Sequence, residues 1–467
     1  MRFRPAGFAC FLGVASCFPS FDVDGSGGAG GSGAGGSSTI SSGGAGGTAQ
    51  NGTATTVGGG GEGAANMGGN GGEGGGNITC TPGAMGWRVN VGSVSNDLSV
   101  AANDNHIQSI ALVEGKAFIA GYTEQPITGN GIADDSFFVA EVDYLTDSPA
   151  VDYHVSYLSA GLAPAIAVSA SHTQSELWVA IGASNVISFY ELPFGDIGNL
   201  EGPATMTCTN AHAPSLASWS GGGYLSMQLV GQQATCDLAV PCEIMPIGDT
   251  SSFLLPLPAV GDVCDSGIYY GQTSQFGSIN QVAVAPGGVY ATSIAGPGGD
   301  SHQRNRYLGS KWQSANIGGT DTPLPTFVTP LLSNGEAYVA GTTIKANVTR
   351  TFIEAWNGDV IYDSNPQLPA NVLMRAAAAN DERFVLAGSF KSTPPQAWLR
   401  RVGGAAGSDH FSNGTNAVVT AVATDACGNV VLGGTYKGSG LDFGTVSTSD
   451  TALTATAFIQ FVPFDKL

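Results

Sequence analysis

Cysteines, histidines and adjacent carboxylates are the side chains here that could do chemistry, and they are sparse. The cysteines are Cys10, Cys17, Cys80, Cys208, Cys236, Cys242, Cys264 and Cys427. A structural zinc site needs thiolates or imidazoles at close spacing, and neither a Cys-x-x-Cys nor a His pair at ligand spacing occurs. The histidines, His106, His154, His172, His212, His302 and His410, are scattered along the chain. The Gly-x-Ser-x-Gly turn that presents a nucleophilic serine is absent. Asp134 and Asp135 form a carboxylate pair, but Asp135 recurs as part of a repeat and so reads as structural. No catalytic, cofactor-binding or metal-ligating residue is assigned on this basis. The cysteines offer two other chemistries, lipidation and disulfide formation.

Which chemistry each cysteine serves depends on what surrounds it. The chain is acidic, with 36 Asp and Glu against 16 Lys and Arg and a net charge of −20 over 467 residues. Such a chain repels nucleic acid and anionic lipid. Its apolar runs are all shorter than the ~18 residues of a membrane-spanning helix. Arg2 and Arg4 precede an apolar stretch, Ala6 to Ser16, that ends Val14-Ala15-Ser16-Cys17. This has the layout of an export signal, and it resembles the bacterial lipobox. The resemblance implies cleavage after Ser16 and a diacylglycerol thioether on Cys17. A plain secretory signal cut at the same bond is the alternative.

Residues 18–79 are mostly Gly, Ser, Ala, Thr and Asn, without Lys or Arg. They cannot bury enough apolar area to offset ordering entropy. A flexible tether spanning ~40 Å is expected there. The expected organisation is a signal peptide at 1–16, a lipidated cysteine and tether at 17–80, and a folded domain at 81–467.

The folded part is periodic. Each unit opens with a strand centred on alanine: Ala111, Ala167, Ala217, Ala283, Ala377 and Ala423, with Val328-Thr329-Pro330 departing in the fifth. A second strand ends in glycine, at Gly121, Gly182, Gly231, Gly296, Gly341, Gly388 and Gly434, about every 52 residues. A third strand holds aromatics, including Phe137, Phe138, Phe189, Trp312, Trp356, Trp398 and Phe458, which read as packing between units. The fourth unit's third strand is expected at Arg306 to Trp312. Small residues suit crowded inner strands, so the pattern predicts an all-β fold, a single seven-bladed β-propeller. Trp87 to Val91 should close the ring as the outermost strand of the last blade, removing its open edge.

Two units carry a family resemblance. Asp425-Ala426-Cys427-Gly428-Asn429, Gly434-Thr435, Asp442-Phe443-Gly444 and Asp135 to Asp143 resemble the bacterial propeller repeat called SBBP. That resemblance implies the fold and implies no reaction.

With Cys10 lost in the signal and Cys17 lipidated, six cysteines remain, an even number that suits disulfides in an exported protein. Cys427 lies in the first turn of the last blade and Cys80 leads into its closing strand, so the two should share a face and pair. Cys208, Cys236, Cys242 and Cys264 cluster around the widest interval, where they should staple an insertion; their pairing stays open. The function expected is that of a lipid-anchored binding or scaffold module of the bacterial envelope, on the outer membrane. It would be monomeric and cofactor-free, with a protein or glycan partner and the membrane contacted through the anchor alone. An extracellular propeller enzyme of hydrolase, lyase or quinoprotein type is the alternative.

Overall fold

Short β-branched and aromatic runs, broken by glycine, asparagine or proline, form strands throughout, as their propensities favour. In the computed structural model, which describes residues 86–91 and, with short gaps, 105–466, these strands assemble into seven antiparallel sheets. The first strands are Asn105–Val113, Ala165–Ser171, Ala211–Trp219, Gly277–Ala285, Pro325–Ser333, Val372–Asn380 and Asn416–Thr424. Each packs on the first strand of the blades either side, and Asn416–Thr424 packs on Asn105–Val113, so the ring closes. The protein is a seven-bladed β-propeller. The described strands belong to one compact unit, Gly60–Leu467.

Blade 7 is completed from the other end of the chain, as the sequence predicts. Trp87–Asn90 pairs antiparallel with Thr451–Val462, placing Trp87 opposite Phe461 and Asn90 opposite Phe458. The indole N–H of Trp87 donates to the Tyr144 carbonyl of blade 1 at 3.1 Å. The Tyr144 hydroxyl donates to Asp425 Oδ2 at 3.0 Å. Asp425 also accepts from the backbone N–H of Cys427 and of Asn429, and from Asn429 Nδ2. The turn read in the sequence is thus an aspartate-centred turn that fastens blade 7 to blade 1. Burial pushes the Asp425 carboxyl up, while its hydrogen bonds from Asn429, Tyr144 and Cys427 pull it down.

The repeated alanines and glycines have separate causes. The central alanines are buried where first strands crowd together. Three of the glycines, Gly121, Gly388 and Gly434, answer a bulge. Every first strand except Ala165–Ser171 carries a register shift near its start. A Cβ added at Gly121, Gly388 or Gly434 would lie 2.1, 2.0 or 2.0 Å from the carbonyl oxygen of His106, Leu373 or Val418. The bulged residues tie the ring together. Gln108 accepts from Ile166 N–H at 2.8 Å and donates to the Pro164 carbonyl at 3.2 Å. Thr420 donates to the Ile107 carbonyl at 2.7 Å.

Three readings need correction. The third strand of blade 4 is Ser301–Tyr307, and Trp312 opens the fourth strand, Trp312–Asn316. A tight turn at Leu308 to Lys311, with Gly309 at φ +66°, separates them. Second, Cys208 belongs to the fourth strand of blade 2, Met206–Thr209, rather than to the third unit. Third, the third-unit insertion does not stay in its own blade. Its hairpin, Ala234–Cys236 with Cys242–Ile244, extends blade 2 to six strands. Cys236 sits directly opposite Cys208 on one side and Cys242 on the other, and Cys208 is bonded to Cys236. The bond therefore fastens a segment from blade 3 onto blade 2. Cys242 and Cys427 each take part in a separate disulfide. Cys17, Cys80, Cys264 and the expected tether lie outside the described residues, and with them the expected Cys80–Cys427 pairing.

Candidate functional site

One strand breaks the repeat's chemistry. Third strands elsewhere keep an apolar or aromatic centre, as in Ser136-Phe-Phe-Val-Ala-Glu-Val-Asp143, and bury Phe137, Phe138, Phe189, Trp398 and Phe458 between blades, although Val348–Ala355 and Gln396–Val402 also carry Glu354 and Arg400. In blade 4 the strand reads Ser301-His-Gln-Arg-Asn-Arg-Tyr307. Because side chains alternate along a strand, His302, Arg304 and Arg306 share one face and Gln303 and Asn305 the other.

The amide face turns to blade 3. Asn305 is fully buried; it donates to Ser293 Oγ at 2.8 Å and accepts from the Tyr270 hydroxyl of blade 3 at 3.2 Å. Tyr270 and Ser293 are a further 2.7 Å pair. The buried polar atoms of this network hold each other, as burial demands.

The basic face turns to blade 5, whose strands are Pro325–Ser333, Glu336–Lys345, Val348–Ala355 and Val360–Asp363. A cleft of about 550 Å³ lies between the two blades, lined by Arg304, Arg306, Gln313, Ser314, Glu336 and Trp356 among others. Arg304 Nη1 is 3.3 Å from Glu354 Oε2, and both side chains are largely buried, at 12% and 9% exposure. The Nε of Arg304 is buried without a hydrogen-bond partner among the described residues. The Arg306 guanidinium lies 5.2 Å over the ring of Tyr290, its register partner on the second strand. Tyr290 in turn meets Trp356 edge-on at 5.1 Å. The backbone of Trp356 is held by its amide N–H, which donates to the Ala337 carbonyl at 2.9 Å.

The rim is polar and open. Gln313, Ser314 and Asn357 are exposed. Asn357 bonds Asp359 through both its amide nitrogen and its oxygen, shaping the turn that follows Trp356. Gly358 in that turn has φ +100°, and a Cβ added there would lie 2.9 Å from Arg304 Nη2. A side chain at this position would push on the arginine.

Chemically, the cleft combines an aromatic wall, two guanidinium groups, one lining carboxylate and rim amide and hydroxyl groups. An aromatic face takes the C–H face of a ring, while guanidinium and amide groups bond hydroxyls and anions. Burial holds His302 neutral on the same strand face by lowering its pKa. The other histidines stand apart. His106 stacks on Tyr122, His154 is 3.7 Å from Asp152, His212 is also lowered by burial, and His172 lies outside the described residues. None of the described cysteines lines the cleft. Sequence reasoning missed this site. Its signal was the alternation His302-x-Arg304-x-Arg306 in a chain with 11% charged residues.

No family model and no curated protein matches the sequence, so the likeness of units one and seven to the SBBP repeat rests on the residues themselves. Among solved structures, the chain is similar to the Dos1 propeller, with a TM-score of 0.41 and 8% identity over 80% of this chain and 94% of that one. It is also similar to the polysaccharide lyase Uly1, with a TM-score of 0.39 and 10% identity over 86% and 98%. At these levels neither comparison bears on the cleft.

Proposed function

We propose that this is an exported binding module, anchored through a lipid on Cys17, whose propeller captures a saccharide in the cleft between blades 4 and 5. The observation that carries this reading is the third strand of blade 4. A repeat protein that replaces an apolar core strand with histidine, arginine and asparagine departs from its own packing rule, and such departures mark functional sites. The aromatic wall and polar rim match a ring-shaped, hydroxyl-rich ligand. The acidic composition, the signal-like layout of residues 1–17 and the long glycine-rich segment support presentation at a bacterial envelope.

The test is a saccharide array probed with the full mature chain and with Trp356→Ala. Binding that the variant loses supports the reading. A propeller that retains no saccharide, or that retains it equally well without Trp356, overturns it. Turnover of a bound saccharide would move the reading to the enzymatic alternative, with Glu336 the carboxylate to examine first.

A further inference from the structure

We infer that the central channel holds a second site, in which Arg375 binds a small monovalent oxyanion of the carboxylate class. The site stands apart from the saccharide cleft and does not rest on that reading. Val372–Asn380, the first strand of blade 6, pairs along one edge with Arg383–Phe390, and its other edge faces the channel. Arg375 is the fourth of its nine residues, at the bulge between Met374 and Ala376. Met374 and Ala376 are buried, whereas Arg375 keeps partial exposure. In mid-strand, that exposure opens on the channel. Gly388 enforces the bulge, since a Cβ there would lie 2.0 Å from the Leu373 carbonyl oxygen and 2.9 Å from the Arg375 nitrogen.

The charge at this place is unbalanced. The seven first strands together contain no Asp, Glu or Lys, and Arg375 is their one arginine, in a chain with 36 Asp and Glu. At the same bulge in blades 1 and 7, Gln108 bonds the first strand of blade 2 and Thr420 that of blade 1. Arg375 makes no hydrogen bond, ion pair or aromatic contact among the described residues. Burial pulls its pKa below the ordinary guanidinium value, with no charged neighbour among the described residues to oppose the shift. A half-buried cation with N–H donors and no acceptor is costly to keep. An arginine that serves the fold is paired, as Arg304 is with Glu354. A bound oxyanion would supply the missing acceptors, and a carboxylate meets the guanidinium fork through two parallel hydrogen bonds. One cation also sets the charge. A monovalent ion neutralises it, whereas a divalent one would add surplus negative charge to a chain already at −20. The first strands crowd together around the channel, so the ion is small.

The test is thermal unfolding of the full mature chain and of Arg375→Gln in acetate, acetamide or sulfate, with ionic strength fixed by sodium chloride. Acetamide has the shape of acetate without its charge. Acetate should raise the unfolding temperature of the unaltered chain and saturate at concentrations on the order of millimolar, by mass action on the folded state. Arg375→Gln should lose that saturable rise, and acetamide should give none in either chain. Exclusion of salt from the surface acts on both chains alike, so the difference between them is what is read. An equal response of the two chains to acetate overturns the inference. A saturable difference that sulfate produces as strongly overturns the monovalent assignment. If Arg375→Gln fails to fold, Arg375→Lys keeps the charge and loses the fork. Its half-saturation should then rise at least about tenfold, the weight of one charge-assisted hydrogen bond, and an unchanged value overturns the paired geometry. Stability without acetate separates a site from a structural role. Arg375→Met removes an unpaired, half-buried charge and should unfold at the same temperature as the unaltered chain or higher. A clear fall would assign Arg375 to the fold and overturn the inference.

Discussion

Gly358 shows how a residue with no side chain can set the chemistry of a larger neighbour. Its φ of +100° and the 2.9 Å approach to Arg304 mean that Gly358→Ala is strained twice, in its backbone and against the guanidinium. The expected loss is about 1–3 kcal/mol in urea unfolding, together with weakened ligand binding. Stability unchanged by the substitution would show that the turn and the arginine are independent. The buried histidines make a second residue-scale prediction. Burial depresses the pKa of His212 and His302 below the ordinary 6.5, so the unfolded chain takes up their protons before the folded one does. Their contribution is therefore complete above pH 6.5 and lost as pH falls through the folded values. Unfolding free energy should drop between pH 7.5 and pH 5.5, and His302→Gln should flatten that slope. A slope unaffected by both His302→Gln and His212→Gln would assign it to other groups.

At the scale of elements, the hairpin that crosses from blade 3 to blade 2 is the least local feature of the fold. It is short, at three residues a strand, and a disulfide over a separation of 28 residues fixes it. The chain-entropy model gives that bond about 3–4 kcal/mol. Replacing Cys208 and Cys236 with alanine should cost that order of stability in chemical denaturation, and a loss under about 0.5 kcal/mol would mean that the hairpin pairs without it. Sequence alone revealed that cysteines gather at an insertion. It could not reveal the destination, because a three-residue strand carries too little pattern to choose between two blade edges. The bulges were hidden for a related reason. Glycine at the end of each second strand looked like a response to crowding at the channel, whereas at Gly121, Gly388 and Gly434 the crowding atom is a carbonyl of the bulged partner strand. The third strand of blade 4 was misplaced because Trp312 resembles the aromatic residues of other third strands. The turn around Gly309 assigns it to the next strand, and the shift concealed the alternation of His302, Arg304 and Arg306.

At the scale of the whole molecule, closure was the most legible feature. Seven units with small inner residues and a displaced terminal strand fit one ring, and the pairing of Trp87 with Phe461 completes it. The closing strand and the residue after it bury Trp87, Val89 and Val91, worth roughly 1.5–3 kcal/mol for each large side chain, and the strand holds Tyr144 and Asp425 across the seam. A chain beginning at residue 95 should lose several kcal/mol, and equal heat stability of the shortened chain would contradict closure. The seam also bears on Cys427, which is disulfide-bonded; the partner expected from the shared face is Cys80, and non-reducing peptide mapping that joins Cys80 elsewhere would refute that pairing. The site itself was poorly legible, because its residues come from two blades and from a strand whose departure from the repeat is visible once the strands are aligned in space. The central claim is that this cleft is where the protein meets its ligand. Hydrogen–deuterium exchange of the full chain, with and without a saccharide retained in the array, addresses it directly. Slowed exchange in Ser301–Tyr307 and in residues 355–358, with the other blades unchanged, is the expected result. Protection confined to another blade or to the channel would contradict it.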